Sequence, residues 1–586
     1  MSKASYMSDV KYTIEDLEPE YDAVVAIDFG TANSGFMFSL KKFPKKVKRP
    51  ATEINVPTII LLTPKKEFHS FGEAARSHVL SLSKEEAQKW FYFERFKMEL
   101  HATKNLSDET WIKARNEKEI KAIVVFSHAL VHFKETAERA IGRSCFGMES
   151  QKIKWVLTVP AIWTQRARQF MRNAAYQAGL ASPDEPKRIV IALEPEVASL
   201  YVRTSPPPSK QSSASEKKTI SLRDPYLIAD CGGGTVDCTV HEPRDDGYLV
   251  ERCLPSGGPW GSLRVDENFE KLLGNILGFD VIREMKMSVP ADWSDVMQKF
   301  EMEKMKATTD DDQSFCVRLP KDLQQVHADF GDGDSIEKKL DNYNQNHAEE
   351  GEKITLHRGG TLMFKAPTMR KLIDPVIDRI VEHIDELLKL GELETVRSLI
   401  VVGGFANSVI LQEALKSRFA DRVKVVVPKD PSVAVLYGAV LFGHNMRAIA
   451  ERRSAYTYGV SKLEKLPEDE VEADRKFRHN VFDTFVRVNE SVGVDDVVRR
   501  RYQTCDPGQL RVTFGVYRSK CEEVAYTTDE GVEACGRIEI KLRSRRSDGH
   551  GCVDVAMKFG RTEIEVTAKD VGATRGGRCK VELLMI

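Results

Sequence analysis

The chain has 586 residues, 41% of them hydrophobic and 30% charged, which is globular composition in a length too great for one core, so two to four domains are expected. Lys and Arg number 87 against 88 Asp and Glu, a formal net charge of −1, and no global field draws the chain toward nucleic acid or an anionic membrane. No apolar run reaches ~18 residues, and Met1 to Asp22 is a polar, flexible leader without a basic stretch and apolar segment, so neither a membrane span nor a secretory signal is expected. Ten cysteines are scattered with no C-x-x-C and no zinc-type spacing, which fits reduced thiols in a cytoplasmic or nuclear protein.

In chain order, Ala23 to Leu40 reads as an apolar strand, the acidic Asp28, a turn of Gly30, Thr31, Ala32 and Asn33, and a second strand. Lys41 to Arg49 is a basic cluster, either a solvated loop or a localisation or anion-binding element. Short strands are expected in Ala51 to Leu62, and an aromatic-rich helix over Lys84 to Leu100 whose aromatics pack into a core. Lys97 is either a surface lysine or a point charge for a γ-phosphate. A helix over Glu117 to Ile141 and a strand over Ile153 to Pro160 precede a helix from an N-cap at Thr164 to a stop at Gly179. Arg188 to Leu193 is a buried strand, and Glu194 stands where it ends, a usual place for site residues in open α/β sheets.

Residues 205–219 are rich in Pro, Ser and Lys and read as a disordered insertion. Ile228 to Asp237 then repeats the earlier order of strand, Asp230, glycine turn (Gly232, Gly233, Gly234, Thr235) and strand. Glycines let main-chain amides approach phosphate oxygens, and a carboxylate at each end suits hydrated Mg2+; the alternative is a hairpin with acidic ends. Two such hairpins suggest two lobes facing one nucleotide. In an expected helix from Trp293 to Thr308, Glu301, Lys304 and Thr308 share a face, as an intrahelical Glu–Lys pair or as an adenosine contact. Asp329 to Lys353 reads as an acidic loop without EF-hand spacing. A long helix over Thr368 to Leu390 precedes the strand Val396 to Val402, and Gly403, Gly404 and Phe405 then lead toward a helix, letting a flat group or phosphate approach its N-terminus. From about Tyr456 the residues alternate at period two with β-branched enrichment, which predicts a separate all-β module.

The motifs around Asp28-Phe29-Gly30-Thr31, Asp230 to Asp237 and Val401-Val402-Gly403-Gly404-Phe405 resemble the two phosphate motifs and the adenosine motif of the actin, heat-shock and sugar-kinase ATPase superfamily. Thr158-Val159-Pro160-Ala161 and Glu194-Pro195-Glu196-Val197-Ala198 are similar to the 70-kDa heat-shock (DnaK-like) chaperone family, in its divergent 12A/12B-like branch. The resemblance covers about Ala23 to Leu441, and Thr562 to Asp570 resembles a strand of that family's β substrate-binding domain.

The resemblance implies an α/β fold: a two-lobed actin-like ATPase with duplicated ribonuclease-H-like cores over residues 23–450, followed by a β-sandwich over 451–586 without a helical lid. Lobe I would take about 23–225 and 428–450, and lobe II about 226–427. It implies ATP or ADP with Mg2+, the metal's water shell on Asp28 and Asp230, and phosphates on Gly30, Thr31, Ala32, Gly232, Gly233, Gly234 and Thr235. Glu194 and Asp237 would position or deprotonate the attacking water, and Lys97 would reach the γ-phosphate. Glu301, Lys304, Thr308, Gly403, Gly404 and Phe405 would contact adenosine. Unfolded client polypeptides and co-chaperones are the implied partners. Ala32 departs from the family's hydroxyl residue, Met305 from an arginine stacked on adenine, and Ser432 from an acidic residue. The expected function is a chaperone-like switch that hydrolyses ATP slowly; a nucleotide-dependent scaffold without hydrolysis and a small-molecule kinase are the alternatives.

Overall fold

The computed structural model describes residues 20–50, 55–103, 105–144, 152–204, 223–349, 351–465, 477–542, 549–571 and 578–582. The expected leader through residue 19 and the expected insertion at 205–219 lie outside the described residues.

Two large mixed sheets, with three smaller ones beside them, are built mainly from the first 450 residues, and the main strands of the two large sheets share one order. In the first, Ile189–Leu193 pairs with Ile153–Val159, which pairs with Ala23–Phe29, then Asn33–Leu40 and Val56–Pro57. In the second, Lys424–Val426 pairs with Ser398–Val402, which pairs with Tyr226–Cys231, then Val236–Pro243 and Leu249–Glu251. In both, the strand carrying the acidic residue near its end is antiparallel to its hairpin partner and parallel to the strand on its other side. These strands are near-continuous apolar runs because both faces are covered. Ile27, Phe29, Trp155 and Leu157 face one core, and Leu227, Ala229, Leu399 and Val401 face another.

The other faces of both sheets look toward each other across two helices, Glu194–Thr204 and Ala434–His444. Val24, Ala26 and Val156 from the first sheet and Ile228, Ile400 and Val402 from the second close on Val197, Ala198, Ala434 and Ala439. Small residues permit this close crossing. A Cβ on Gly438 would stand 1.7 Å from the Val197 carbonyl oxygen.

Several expected elements hold with shifted ends. Thr164 caps Gln165–Gln177, its hydroxyl accepting from the Ala167 amide at 3.3 Å, and Gly179 has a φ of 70°. Two expectations fail. The aromatic stretch is not a helix: Phe91–Glu94 is a strand paired with Ile59–Leu62, between the short helices Lys84–Ala87 and Lys97–Ala102. Consecutive aromatics favour a pleat, which here sends Phe93 to one core and Tyr92 to another. The acidic stretch from Asp329 to Lys353 is not a loop throughout: Ile336–His347 is a helix capped by Ser335. Its fully buried apolar side chains are Ile336 and Leu340, one turn apart, with Tyr343 half-buried beside them, too sparse for a period to be read.

Beyond residue 450, two four-stranded antiparallel sheets share one core. One holds Phe477–Val486, Thr457–Lys465, Arg511–Ser519 and Val532–Lys541; the other holds Val497–Gln503, Cys552–Lys558, Glu565–Asp570 and Arg578–Glu582. Val460, Phe514 and Ile538 of the first meet Val555, Met557 and Val566 of the second. Among the described residues, eight cysteines are free and no helix is long and apolar enough to cross a membrane.

The crossing at Gly438 yields a test. Gly438→Ala is expected to destabilise the chain by about 1–3 kcal/mol in urea unfolding, because the added methyl meets backbone, not a movable side chain. A neutral or stabilising result would contradict the packing.

Candidate functional site

The two hairpin turns touch. A Cβ on Gly233 would lie 2.7 Å from the Ala32 Cβ, and one on Gly234 would lie 2.5 Å from the Thr31 Oγ1. Each turn is held by its carbonyls. The Thr58 hydroxyl donates to the Gly30 oxygen at 2.8 Å and its amide to the Ala32 oxygen at 2.9 Å. Likewise the amides of Ser262, Leu263 and Gly261 donate to the oxygens of Gly232, Gly233 and Gly234 at 3.1, 2.9 and 3.2 Å. The amides of Thr31, Ala32, Gly233 and Gly234 have no acceptor among the described residues. Carbonyls tied behind and amides left unmatched form a concave row of donors suited to an anion.

The turns border a cavity of about 340 Å³. Asp28, Gly30, Thr31, Ala32, Lys97, Glu194, Asp230, Gly232, Gly233, Gly234 and Thr235 line it, as do Glu301, Lys304, Gly403, Gly404 and Phe405. Asp28 and Asp230 occupy matching positions, each one residue before the end of the central strand of its sheet. Asp28 accepts from the Thr158 hydroxyl at 2.7 Å. Asp230 takes no hydrogen bond from the described residues. Asp237 stands behind the wall rather than in it: it is 1% exposed and its Oδ1 accepts from the Ile162 amide at 2.9 Å.

Lys97, expected from sequence as either a surface lysine or a site lysine, is buried at 3% exposure. Its Nζ lies 2.8 Å from Glu194 Oε1 and 5.2 Å from the Trp163 ring centroid. One ammonium therefore faces four acidic groups. Burial pushes the Glu194 carboxyl up to about 7, against the pull of Lys97 and with added push from Asp28 and Asp237. Asp230 is raised well above the ordinary carboxyl range by burial and by Glu194, Asp237 and Asp28. Burial also raises Asp28 and Asp237. Among the described residues no three His, Cys, Asp or Glu side chains converge to cage a metal ion. The surplus charge fits a hydrated divalent cation held by one or two carboxylates and the ligand's own phosphates.

On the far wall, Lys304 is tied to Asp266 at 2.6 Å and to the Ser262 oxygen at 3.2 Å, so its partner is not Glu301. Thr308 is not at the cavity. The helix ends at Met305, and the Thr308 hydroxyl and amide both donate to Gln313 Oε1, at 3.0 and 2.9 Å. Gly403 has a φ of 90°, and a Cβ there would stand 2.4 Å from Asp230 Oδ1. The diglycine leads into a 3-10 turn, Phe405–Asn407, before the helix Val409–Phe419 begins at its Ser408 cap. Met305 and Ser432 also line the cavity. Sequence reasoning missed Asn33, Asn55, Ser262, Ile373, Asn407 and Ser408 as lining residues, and missed Thr158, Trp163 and Asp266 as supports. Only the hydroxyl in Thr158-Val159-Pro160 beside a known acidic strand end offered a signal.

Heat shock 70 kDa protein 12A of Mus musculus is 36% identical over 623 aligned residues, spanning 96% of this chain and 91% of that protein. Heat shock 70 kDa protein 12B of Homo sapiens is 35% identical over 636, spanning 97% and 92%. The chain belongs to the heat shock 70 kDa protein family, in its 12A/12B branch. A more distant member, Heat shock protein SSC3, mitochondrial, of Saccharomyces cerevisiae, is 22% identical over 72% of this chain. No family model matches the chain.

Charge crowding in this family member has a pH signature. A carboxyl raised on folding favours the fold only while protonated, so stability is lost as pH rises through the folded value, for Glu194 between 4.5 and about 7. Asp230→Asn keeps the shape and removes a charge that has no donor. It is expected to stabilise the nucleotide-free protein by about 1–3 kcal/mol near pH ~8, a gain that shrinks toward pH ~5, measured by urea unfolding. A loss of stability at the higher pH contradicts the crowding.

Proposed function

We propose that this protein is an ATP-binding, chaperone-like nucleotide switch, built as a two-lobed actin-like ATPase over residues 23–450 with a C-terminal β-sandwich over 451–586. One observation carries the reading: two glycine turns from two sheets of like topology touch, and Asp28 and Asp230 line the one cavity beside them. The unmatched amides of both turns supply donors for the phosphates. Lobe I takes the first sheet and the Ala434–His444 helix, lobe II the second sheet, and the two crossing helices lie between them.

Phosphoryl transfer needs placement and charge neutralisation more than covalent chemistry. Asp28 and Asp230 would hold the water shell of Mg2+, which offsets phosphate charge when bound. Glu194, with a carboxyl near neutrality, takes a proton from the attacking water, and Asp237 holds the Ile162 amide behind it. Lys97 turns from Glu194 toward the γ-phosphate. Glu301, Lys304, Phe405 and the Gly403–Gly404 turn form the adenosine side, and Met305, 71% exposed, closes it less firmly than a stacked guanidinium. Rotation of the lobes alters the C-terminal module, a client polypeptide or co-chaperone being the readout. The free thiols support a cytoplasmic or nuclear location.

The 2.8 Å Lys97–Glu194 pair occupies two of the groups hydrolysis requires, which favours slow turnover and keeps a non-hydrolysing scaffold as the second reading. Calorimetric titration of the full chain with ATP is expected to show Mg2+-dependent binding, and Asp28→Asn with Asp230→Asn is expected to abolish it. Retention of full affinity and turnover by that double variant would refute the site. Single-turnover hydrolysis separates switch from scaffold.

A further inference from the structure

A second cavity, of about 440 Å³, lies where the Ala161–Arg168 segment, the end of the Ile449–Arg453 strand and the C-terminal sheets meet. Five cations line it, Arg168, Arg452, Arg453, Lys520 and Arg561, against one carboxyl, Glu251. The Arg452 charge is already met: its guanidinium pairs with both oxygens of Glu196, at 2.7 and 2.9 Å.

Arg168 and Arg453 are not met in this way. Arg168 donates only to neutral carbonyls, Thr562 at 3.2 Å and Ala161 at 2.9 Å, and its Nε is buried without an acceptor among the described residues. Arg453 Nη1 donates to the Asn489 oxygen at 2.9 Å, and its Nε is likewise buried without an acceptor. Lys520 is exposed and pairs with none of the described carboxylates. Glu251 does little to offset them. Burial and Glu196 push its carboxyl up to about 8, its Oε2 accepts from the Arg453 amide, and its Oε1 is buried without a partner. Surplus positive charge on cavity-lining guanidinium and ammonium groups that no carboxylate meets suits an anion with several acceptor oxygens.

Four aromatic side chains stand in the remaining, mostly apolar wall. Trp163, Tyr456, Tyr458 and Phe559 all line the cavity. Trp163 also carries Lys97 over its ring, so the same side chain backs the Lys97–Glu194 pair.

We propose that this cavity is a binding site for a small organic phosphate monoester, its phosphoryl oxygens on Arg168, Arg453 and Lys520 and its ring or apolar body against Trp163, Tyr456 and Phe559. A flat apolar group and a dianion are what the two halves of the wall recognise. The site stands apart from the nucleotide cleft, and the binding claim holds whether or not the chain hydrolyses ATP.

The test is calorimetric titration of the full chain with phenyl phosphate, in the absence of nucleotide. Wild type is expected to bind it, and to bind inorganic phosphate more weakly. Arg453→Gln with Lys520→Gln is expected to weaken phenyl phosphate about tenfold, one to two charge-assisted contacts in affinity. Lys520→Glu, at an exposed position that leaves the fold intact, is expected to weaken it in the same direction. Asp28→Asn with Asp230→Asn leaves this affinity unchanged while removing Mg-ATP binding, so the two sites fail independently. The proposal is overturned by absence of binding at millimolar phenyl phosphate, by equal affinity in the cavity variants, or by competition from ATP in the wild type that shows the probe sitting on the glycine turns.

Discussion

Four acidic side chains and one ammonium crowd together between two sheets, and the rest of the fold is arranged to hold them there. Like charges this close cannot all ionise without a counter-charge, which is why Glu194 and Asp230 are both driven upward. Such a cluster is costly on its own and stabilising only for something positive, such as a metal bound with its ligand. The stress is local and the surroundings absorb it. Asp28 leans on the Thr158 hydroxyl, Asp237 on the Ile162 amide and Glu194 on Lys97.

The positions of these groups follow from topology. In each sheet one strand carries an aspartate one residue before its end and then turns back through small residues. The helices between the sheets bring the two turns together. Their crossing is close because Gly438 meets the Val197 carbonyl, and Val197 lies one turn from Glu194 on the same helix. Packing in the central core is therefore coupled to the placement of the acid at the cavity. The same helix carries Glu196, whose pair with Arg452 reaches the Gly560 carbonyl in the C-terminal sheets. One helical turn thus faces the cavity beside the glycine turns with one glutamate and the C-terminal sheets with the next.

Much of this was legible because period and punctuation agree with the fold. Apolar runs ended by Asp and Gly marked both hairpins, and Thr164, Glu194 and the Gly403–Gly404 pair stand where capping and strand-end rules put them. Legibility failed where tertiary contacts outweighed local pattern. The aromatic run at Trp90 to Phe96 carries no helical stripe, and pairing with Ile59–Leu62 made it a strand. The helix at Ile336–His347 shows few apolar residues because one narrow face is enough for it. Thr308 shared a helical spacing with Glu301 and Lys304, but the helix stops at Met305 and the spacing ceases to mean a shared face.

From sequence alone came the residue types and their order: two acidic glycine hairpins, a strand-end glutamate, a diglycine turn and a β-rich tail. Those are local properties, written in side-chain period and in the backbone freedom of glycine. Which acid lines the cavity and which lies behind it, which carboxylate takes Lys97 and which takes Lys304, and the cationic cavity beside the C-terminal sheets were decided only in three dimensions. Each depends on partners far apart in the chain, and burial together with a nearby charge sets a side chain's state in a way that no linear spacing records.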